Sequence, residues 1–315
     1  MTAMTKPDPG LLPAQPLAQN AVDGRAMGMM TALCLLWSLQ QISLKAIAGQ
    51  ASPMLMVALR SLVALLLVVG LMRHRAEGLH RARWYPGVLV GGLFGLEYLL
   101  VSQALVLTDA SHVVVFLYTA PIFAALGLQV RLPQERLAPA QWLGIALAFA
   151  GIAVAFFGGN RGPAGDHGGA SLLGDGLALL AGAAWGATTV TIRCSTLAAA
   201  PATETLLYQL LGAFVLLLPT AALTGQWRVE CTLLVWAHLG FQSLVVSFAS
   251  FLTWCWLLRR YLASQLGVFS FLTPLFGVVM GAWLLNEQLD AAFMAGGSCV
   301  LAGIALVSLH ARIKG

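Results

Sequence analysis

The sequence predicts an all-α membrane protein of ten transmembrane helices, arranged as a five-plus-five inverted repeat with both termini cytoplasmic. Three observations predict it. The composition is too apolar for water, the apolar runs have bilayer-crossing length, and residues of the first half recur in order in the second. Of 315 residues, 59% are hydrophobic and 9% charged, with a mean hydropathy of +0.84. Soluble domains carry roughly 25% charged residues, so this chain cannot cover itself with polar surface. Within lipid, only helices and closed barrels satisfy their own backbone, and the period-two alternation of barrel strands is absent.

In chain order, residues 1–27 read as a disordered tail, because residues 1–23 hold four prolines and little hydrophobicity and carry no signal-peptide pattern. The first repeat, 28–157, contains spans at 28–48, 53–72, 86–107, 111–130 and 138–157. A Gly-rich outer linker occupies 158–172. The second repeat, 173–310, contains spans at 173–196, 201–223, 232–258, 262–285 and 291–310, and 311–315 form a cytoplasmic tail. Each span is about 20 residues or slightly more, enough for the roughly 30 Å hydrocarbon core at 1.5 Å per residue.

The net charge of +5 raises nucleic acid as a partner, but the basic residues sit in alternate short loops, which speaks for the lipid bilayer and against nucleic acid. With the N-terminus inside, thirteen Lys and Arg residues fall on the inner side and three (Lys45, Arg161 and Arg228) on the outer, a positive-inside bias. The cysteines Cys34, Cys194, Cys231, Cys255 and Cys299 show no paired spacing. They read as small hydrophobes, and no metal or cofactor is expected.

The repeat carries the functional argument. An Ala-Ser pair leads through Val113, Phe116, Tyr118 and Thr119 to Pro121, and again from Ala263-Ser264 to Pro274. Trp37 and Lys45 correspond to Trp185 and Arg193, Pro53 to Pro201, and Glu135-Arg136-Leu137 to Glu287-Gln288-Leu289. Ala150-Gly151-Ile152-Ala153 recurs letter for letter as Ala302-Gly303-Ile304-Ala305. An odd number of spans per copy makes the copies enter the membrane from opposite faces. That is a transporter architecture, with substrate held near the midplane.

These residues, with Arg60 in the second span and Leu173-Gly174-Asp175 opening the second copy, make residues 28–310 resemble the EamA-type exporters of the drug/metabolite transporter superfamily. Within it the bacterial aromatic amino acid exporters are the nearest likeness. The resemblance implies a multi-pass protein of the bacterial inner membrane that exports a small-molecule substrate. It also implies that spans one, three, four, six, eight and nine surround a central cavity, with five and ten outside.

Against that frame, polar residues within spans become candidate substrate contacts. Trp37, Gln40 and Gln41 in the first span present an aromatic and amides at helical spacing, and Trp185, Thr188 and Thr189 do the like in the sixth. Symmetric tryptophans suit a planar apolar ligand or simple packing. Phe94, Glu97 and Tyr98 lie together in the third span. Glu97, roughly 15 Å from either interface by helical rise, is the carboxylate lying well inside a span. It binds a substrate ammonium, carries a coupling proton, or bonds a polar neighbour; intramembrane ionisable groups are functional hypotheses by default. Ser243, Ser247, Ser250 and Trp254 are spaced four, three and four, one face of an α-helix. The stripe either packs closely against another helix or lines a wet cavity.

Other polar positions read as structural. Arg60 is expected to snorkel toward the outer interface, with Gln209 at its position in the repeat. Asp175 is expected to cap the sixth span, and Lys45 and Arg193 to complement helix C-termini. His112 reads as an interfacial hydrogen-bonding group. Tyr208 and Gln242 lie near span edges and are weak candidates. Pro121 and Pro274 each free a carbonyl four residues back and are candidate gating hinges.

An enzyme is excluded by what is missing: no His-Glu-x-x-His, no Gly-x-Ser-x-Gly and no paired intramembrane aspartates. With no Lys or Arg at the midplane of a span, anions fit poorly. The expected function is secondary export of small uncharged or zwitterionic metabolites, aromatic and other amino acids foremost, by alternating access. Cationic drugs, or another metabolite such as a nucleotide sugar, are the alternative.

Overall fold

A computed structural model describes residues 23–131, 138–157, 168–260, 270, 272–287, 289 and 291–314. The described residues are helical, with one isolated bridge between Ala51 and Val229. The elements are α1 (Gly24–Ala46), α2 (Pro53–His74), α3 (Trp84–Leu107), α4 (Ala110–Leu117), α5 (Ala120–Arg131) and α6 (Pro139–Phe157). The second half has α7 (Gly168–Arg193), α8 (Ala202–Leu223), α9 (Leu233–Gly240), a π-helical segment (Phe241–Ser250), α10 (Phe251–Arg260), α11 (Leu272–Leu284) and α12 (Ala291–Lys314). Among the described residues, six stretches are long and apolar enough to cross a membrane: α1, α2, Arg81–Leu107, Ala110–Arg131, α8 and Leu233–Trp254. Shorter apolar helices run over Trp142–Val154, Leu272–Leu284 and Ala291–Gly303. Leu66, Leu143, Val215 and Val279 are among the large apolar side chains left on the outside, the surface that hydrocarbon would cover.

Local chemistry sets the boundaries. Asp23 caps α1 by accepting from the Ala26 amide at 2.8 Å, so the last four residues of the expected tail, 24–27, are helical. Pro53 opens α2 with its ring where no amide is needed. Thr232 caps α9 through the Val235 amide at 3.3 Å. Two further boundaries differ from expectation. α7 begins at Gly168, so 168–172 of the expected linker are helical. α12 runs to Lys314, through most of the expected tail. The expected tail residues 1–22, linker residues 158–167, Glu135-Arg136-Leu137 and Ala263-Ser264 through Phe269 lie outside the described residues.

The spans expected at 111–130 and 232–258 are not single α-helices. Pro121 lacks the amide that would bond Leu117, and the first of these breaks into α4 and α5 at Tyr118-Thr119. The Phe116 carbonyl there accepts from both the amide and the hydroxyl of Thr119, at 3.2 and 2.6 Å. Pro121 is thus the second residue of α5 and Pro274 the third of α11, first-turn positions that tolerate proline. The other span is α-helical only at its ends, because Phe241–Ser250 winds as a π-helix. Such segments are usually single turns and gather at functional sites.

Packing partners exchange the two halves. α1 lies on α11 as α7 lies on α4 and α5, and α2 lies on the π segment as α8 lies on α3. α6 and α12 pair with each other, and this explains the letter-for-letter recurrence at 150–153 and 302–305. A Cβ on Gly151 would stand 2.5 Å from the Gly296 carbonyl oxygen, and one on Gly303 would stand 2.4 Å from that of Gly144. Each repeat supplies the glycine that lets the other's backbone approach, as small residues do where membrane helices cross.

Candidate functional site

A cavity lies where α1, α3, α7, α8, α10 and the α4–α5 break converge. Its volume is about 100 Å³, and since one water needs about 10–15 Å³ of such space, the site has room for several waters or a small ligand.

Eight of the residues singled out by sequence meet in its wall: Trp37, Gln40, Gln41, Phe94, Glu97, Tyr98, Trp185 and Trp254. Their orientations are fixed by neighbours. Trp37 donates through Nε1 to Ser250 Oγ at 3.0 Å and meets Trp254 edge to face at 5.5 Å. Phe94 lies edge to face with Tyr98 at 4.8 Å and with Phe251 at 6.2 Å. Gln40 donates to the Tyr98 hydroxyl at 3.2 Å. Trp185 meets Tyr118 edge to face at 5.1 Å. Two wall atoms, Glu97 Oε2 and Gln41 Oε1, have no hydrogen-bond partner.

The other four predicted residues stand outside the wall. Thr188 is buried and bonds back to the Ala184 carbonyl at 3.0 Å. Ser250 acts from behind: it orients Trp37 while donating to the Val246 carbonyl at 2.6 Å. Ser243 and Ser247 are buried with unpartnered hydroxyls. The serine stripe assumed 3.6 residues per turn, and the π winding takes that stripe away from the cavity.

The wall also contains residues that spacing did not single out: Leu117, Tyr118, Gln209 and Phe251. Leu117 and Tyr118 are there because the helix stops at Tyr118, a consequence of Pro121 three residues on. Gln209 enters from the seventh span, which the family resemblance did not place around the cavity. Among the described residues the ninth span contributes nothing to the wall.

Three other expectations are corrected. Arg60 does not snorkel. It is 1% exposed, donates to Gln242 Oε1 at 2.6 Å and lies over the Tyr98 ring, 4.5 Å from its centroid. Gln242, expected at a span edge, is fully buried and also donates to the Gln40 carbonyl and Ser43 Oγ, at 2.9 and 3.0 Å. Ser43 Oγ in turn lies 2.9 Å from His238 Nδ1. The Arg60 guanidinium is thereby held behind the tyrosine rather than in the cavity.

Asp175 does not cap α7, since it sits in that helix's second turn. Its Oδ1 accepts from the Thr108 hydroxyl at 2.7 Å and lies 3.0 Å from His112 Nδ1. His112 stacks on Phe293, centroids 3.9 Å apart. Lys45 lies in the last turn of α1, and its ammonium also serves the end of α3, donating to the carbonyls of Leu105 and of the C-cap residue Thr108 at 2.8 and 2.6 Å. Among the described residues no cluster of side chains suits a metal ion.

A family profile described as the EamA-like transporter family matches this chain twice, over residues 24–157 and 172–309. "Uncharacterized transporter YvbV" of Bacillus subtilis (strain 168) is 24% identical over 296 residues, spanning 91% of this chain and 92% of that protein. "Putative permease-like protein YdzE" of the same organism is 36% identical over 67 residues, which cover 21% of this chain and 86% of that protein. A solved structure described only as "Crystal structure of protein" superposes with a TM-score of 0.65 at 21% identity, over 93% of this chain and 99% of that one, a likeness of fold. With the profile covering most of both halves, and apolar helices enclosing a cavity lined by aromatic and polar side chains, the chain belongs to the EamA-like transporter family and is a multi-pass cell-membrane transporter of a small molecule, not an enzyme.

Proposed function

We propose that this transporter exports small uncharged or zwitterionic metabolites, aromatic amino acids foremost, by alternating access around the cavity between its halves. One observation carries the proposal: the wall combines the rings of Trp37, Phe94, Tyr98, Tyr118, Trp185, Phe251 and Trp254 with a single carboxylate, Glu97, and amides from Gln40, Gln41 and Gln209. Aromatic walls favour a planar apolar side chain, and a carboxylate with open amide oxygens favours an ammonium. The amide nitrogens of Gln41 and Gln209 offer donors to a carboxylate. No Lys or Arg lies among the wall residues, which speaks against a phosphorylated cargo.

Glu97 is assigned the ammonium or a coupling proton, and Pro121 and Pro274 are assigned as hinges of the two halves. The positive-inside bias sets the termini in the cytoplasm, so the end holding Lys45, Thr108 and Glu287 faces outward. The test is transport by the purified protein in liposomes. Labelled tryptophan or phenylalanine should accumulate saturably, with unlabelled aromatic amino acids competing. Flux equal to that of empty liposomes, with and without a proton gradient, overturns the proposal. The carboxylate within an aromatic wall supports a second reading, an organic cation as cargo. Competition by hydrophobic cations but not by zwitterionic amino acids would select it.

A further inference from the structure

The N-terminus of α4 is capped from the wrong half of the chain. Asp109 stands at the N-cap position with extended backbone, φ −76° and ψ 151°, yet its side chain makes no capping hydrogen bond. Aspartate is among the strongest N-cap residues, normally accepting from an amide of the first turn. Here the first-turn amides belong to Glu287. Its Oε1 accepts from the Ala110 amide at 2.7 Å and its Oε2 from that of Ser111 at 3.1 Å.

The far end of α11 is shaped for this reach. Asn286 takes the left-handed conformation, φ 54°, that turns a chain at a helix end. The Glu287 amide donates back to the Gly281 carbonyl at 3.2 Å. A Cβ on Gly281 would lie 2.3 Å from Glu287 Oε2, so only glycine leaves the carboxylate its place. The bond joins the second half of the chain to the first at the end of the bundle that also holds Lys45, His112 and Asp175.

We infer that α4 has two interchangeable caps, and that exchanging Glu287 for Asp109 opens this end of the bundle. While the end is closed, Glu287 ties α11 to α4. When α11 moves away, the first-turn amides would be left orphaned at a positive helix terminus. Asp109 already has the backbone of an N-cap, so rotation of its side chain supplies the replacement carboxylate. The cap thereby makes the helix end two-state: one carboxylate holds it in each conformation, and neither conformation leaves the amides bare. The groups facing this site among the described residues are Lys45 from α1, Asp109 and His112 from the start of α4, Asp175 from α7, and Glu287 itself. The inference rests on alternating access but on no particular cargo.

The test needs no substrate. Val114 is fully buried one turn below the cap, against Gly277. A Val114→Cys reporter in full-length protein lacking its own five cysteines, held in nanodiscs, reads opening by its rate of reaction with a hydrophilic maleimide. Glu287→Ala should raise that rate about fivefold, the factor a lost helix cap carries at 25 °C. Asp109→Ala should lower it by a like factor, because the open state then has no cap, and the double variant should return to near the parent rate. Glu287→Gln and Asp109→Asn, which keep the side-chain shape, should move the rate in the same directions by less. Each variant must match the parent in monodispersity and thermal midpoint to be scored. A parent-like rate in both Glu287 variants overturns the inference. So does an Asp109→Ala rate as fast as that of Glu287→Ala, which would make Asp109 a static support. Failure of amino acid transport leaves this result standing, and failure here leaves the cargo untouched.

Discussion

Gln242→Leu is the sharpest test of the polar network behind the cavity. The substitution keeps roughly the shape of the side chain and removes three hydrogen bonds: the one accepted from Arg60 and the two donated to Gln40 and Ser43. A bond to a charged group is worth about 1.5–3 kcal/mol, and hydrogen bonds between membrane helices average about 0.6 kcal/mol each. The expected loss is therefore about 3–4 kcal/mol. Most of it arises because a guanidinium buried at 1% exposure loses the side-chain oxygen 2.6 Å from its Nη1. The identity of the penalty makes a second variant diagnostic. Arg60→Met removes the charge, so adding Gln242→Leu to it should cost only the two neutral bonds. Reversible unfolding in mixed micelles should then show the double variant more stable than the sum of the single losses by about 1.5 kcal/mol or more. Coupling below about 0.5 kcal/mol would refute the claim that Gln242 is what keeps Arg60 in place.

Further predictions follow from the same geometry. Trp185→Ala opens the cavity wall and should weaken cargo binding about tenfold or more, with the thermal midpoint nearly unchanged, as read by competition in liposomes; an aromatic ring pair is worth about 0.5–1.5 kcal/mol beyond its buried area. Glu97→Gln should abolish any pH dependence of transport, and a pH profile identical to that of wild type removes Glu97 from coupling. Gly212→Ala places a Cβ 2.1–2.5 Å from the Gly91 backbone, where no side-chain tip can yield. It should destabilise by about 1–3 kcal/mol or more, with α3 and α8 forced apart, measured by unfolding in micelles. Burial pushes the Asp109 carboxyl above its ordinary range, Glu287 adds to the shift, and His112 and Lys45 oppose it. The folded state then holds this proton more tightly than the unfolded one, so its contribution is present at low pH and lost as pH rises through the ordinary carboxylate range toward the raised folded value. Unfolding measured across that window should show stability falling less with pH in Asp109→Asn than in wild type.

Much of the cavity was legible because its residues are unusual for their place. Trp37, Gln40, Gln41, Glu97 and Trp185 are polar or bulky groups within apolar runs, and they line one cavity. Helical spacing misleads where the winding of the backbone departs from 3.6 residues per turn. The serines of the eighth span fit an α-helical face, but Phe241–Ser250 is π-helical, and Ser243 and Ser247 leave the wall. Tyr118 was visible as a neighbour of Pro121, yet its place in the wall depends on where the helix resumes. Gln242 lies near the edge of its span in sequence, and what decides its role is a guanidinium from a helix 182 positions away.

By itself the sequence determined that this chain resides in lipid, that its halves repeat, and that two prolines interrupt equivalent runs. Those properties are local: hydropathy, loop charge and the missing proline amide act within a few residues, and composition carries them. The tertiary structure decided which carboxylate holds the start of α4, where the buried arginine points, and which side of each polar helix meets the cavity. These are contests between partners distant in the chain, such as Asp109 against Glu287 for the same amides. Local propensity favours Asp109 there, and packing gives the place to Glu287.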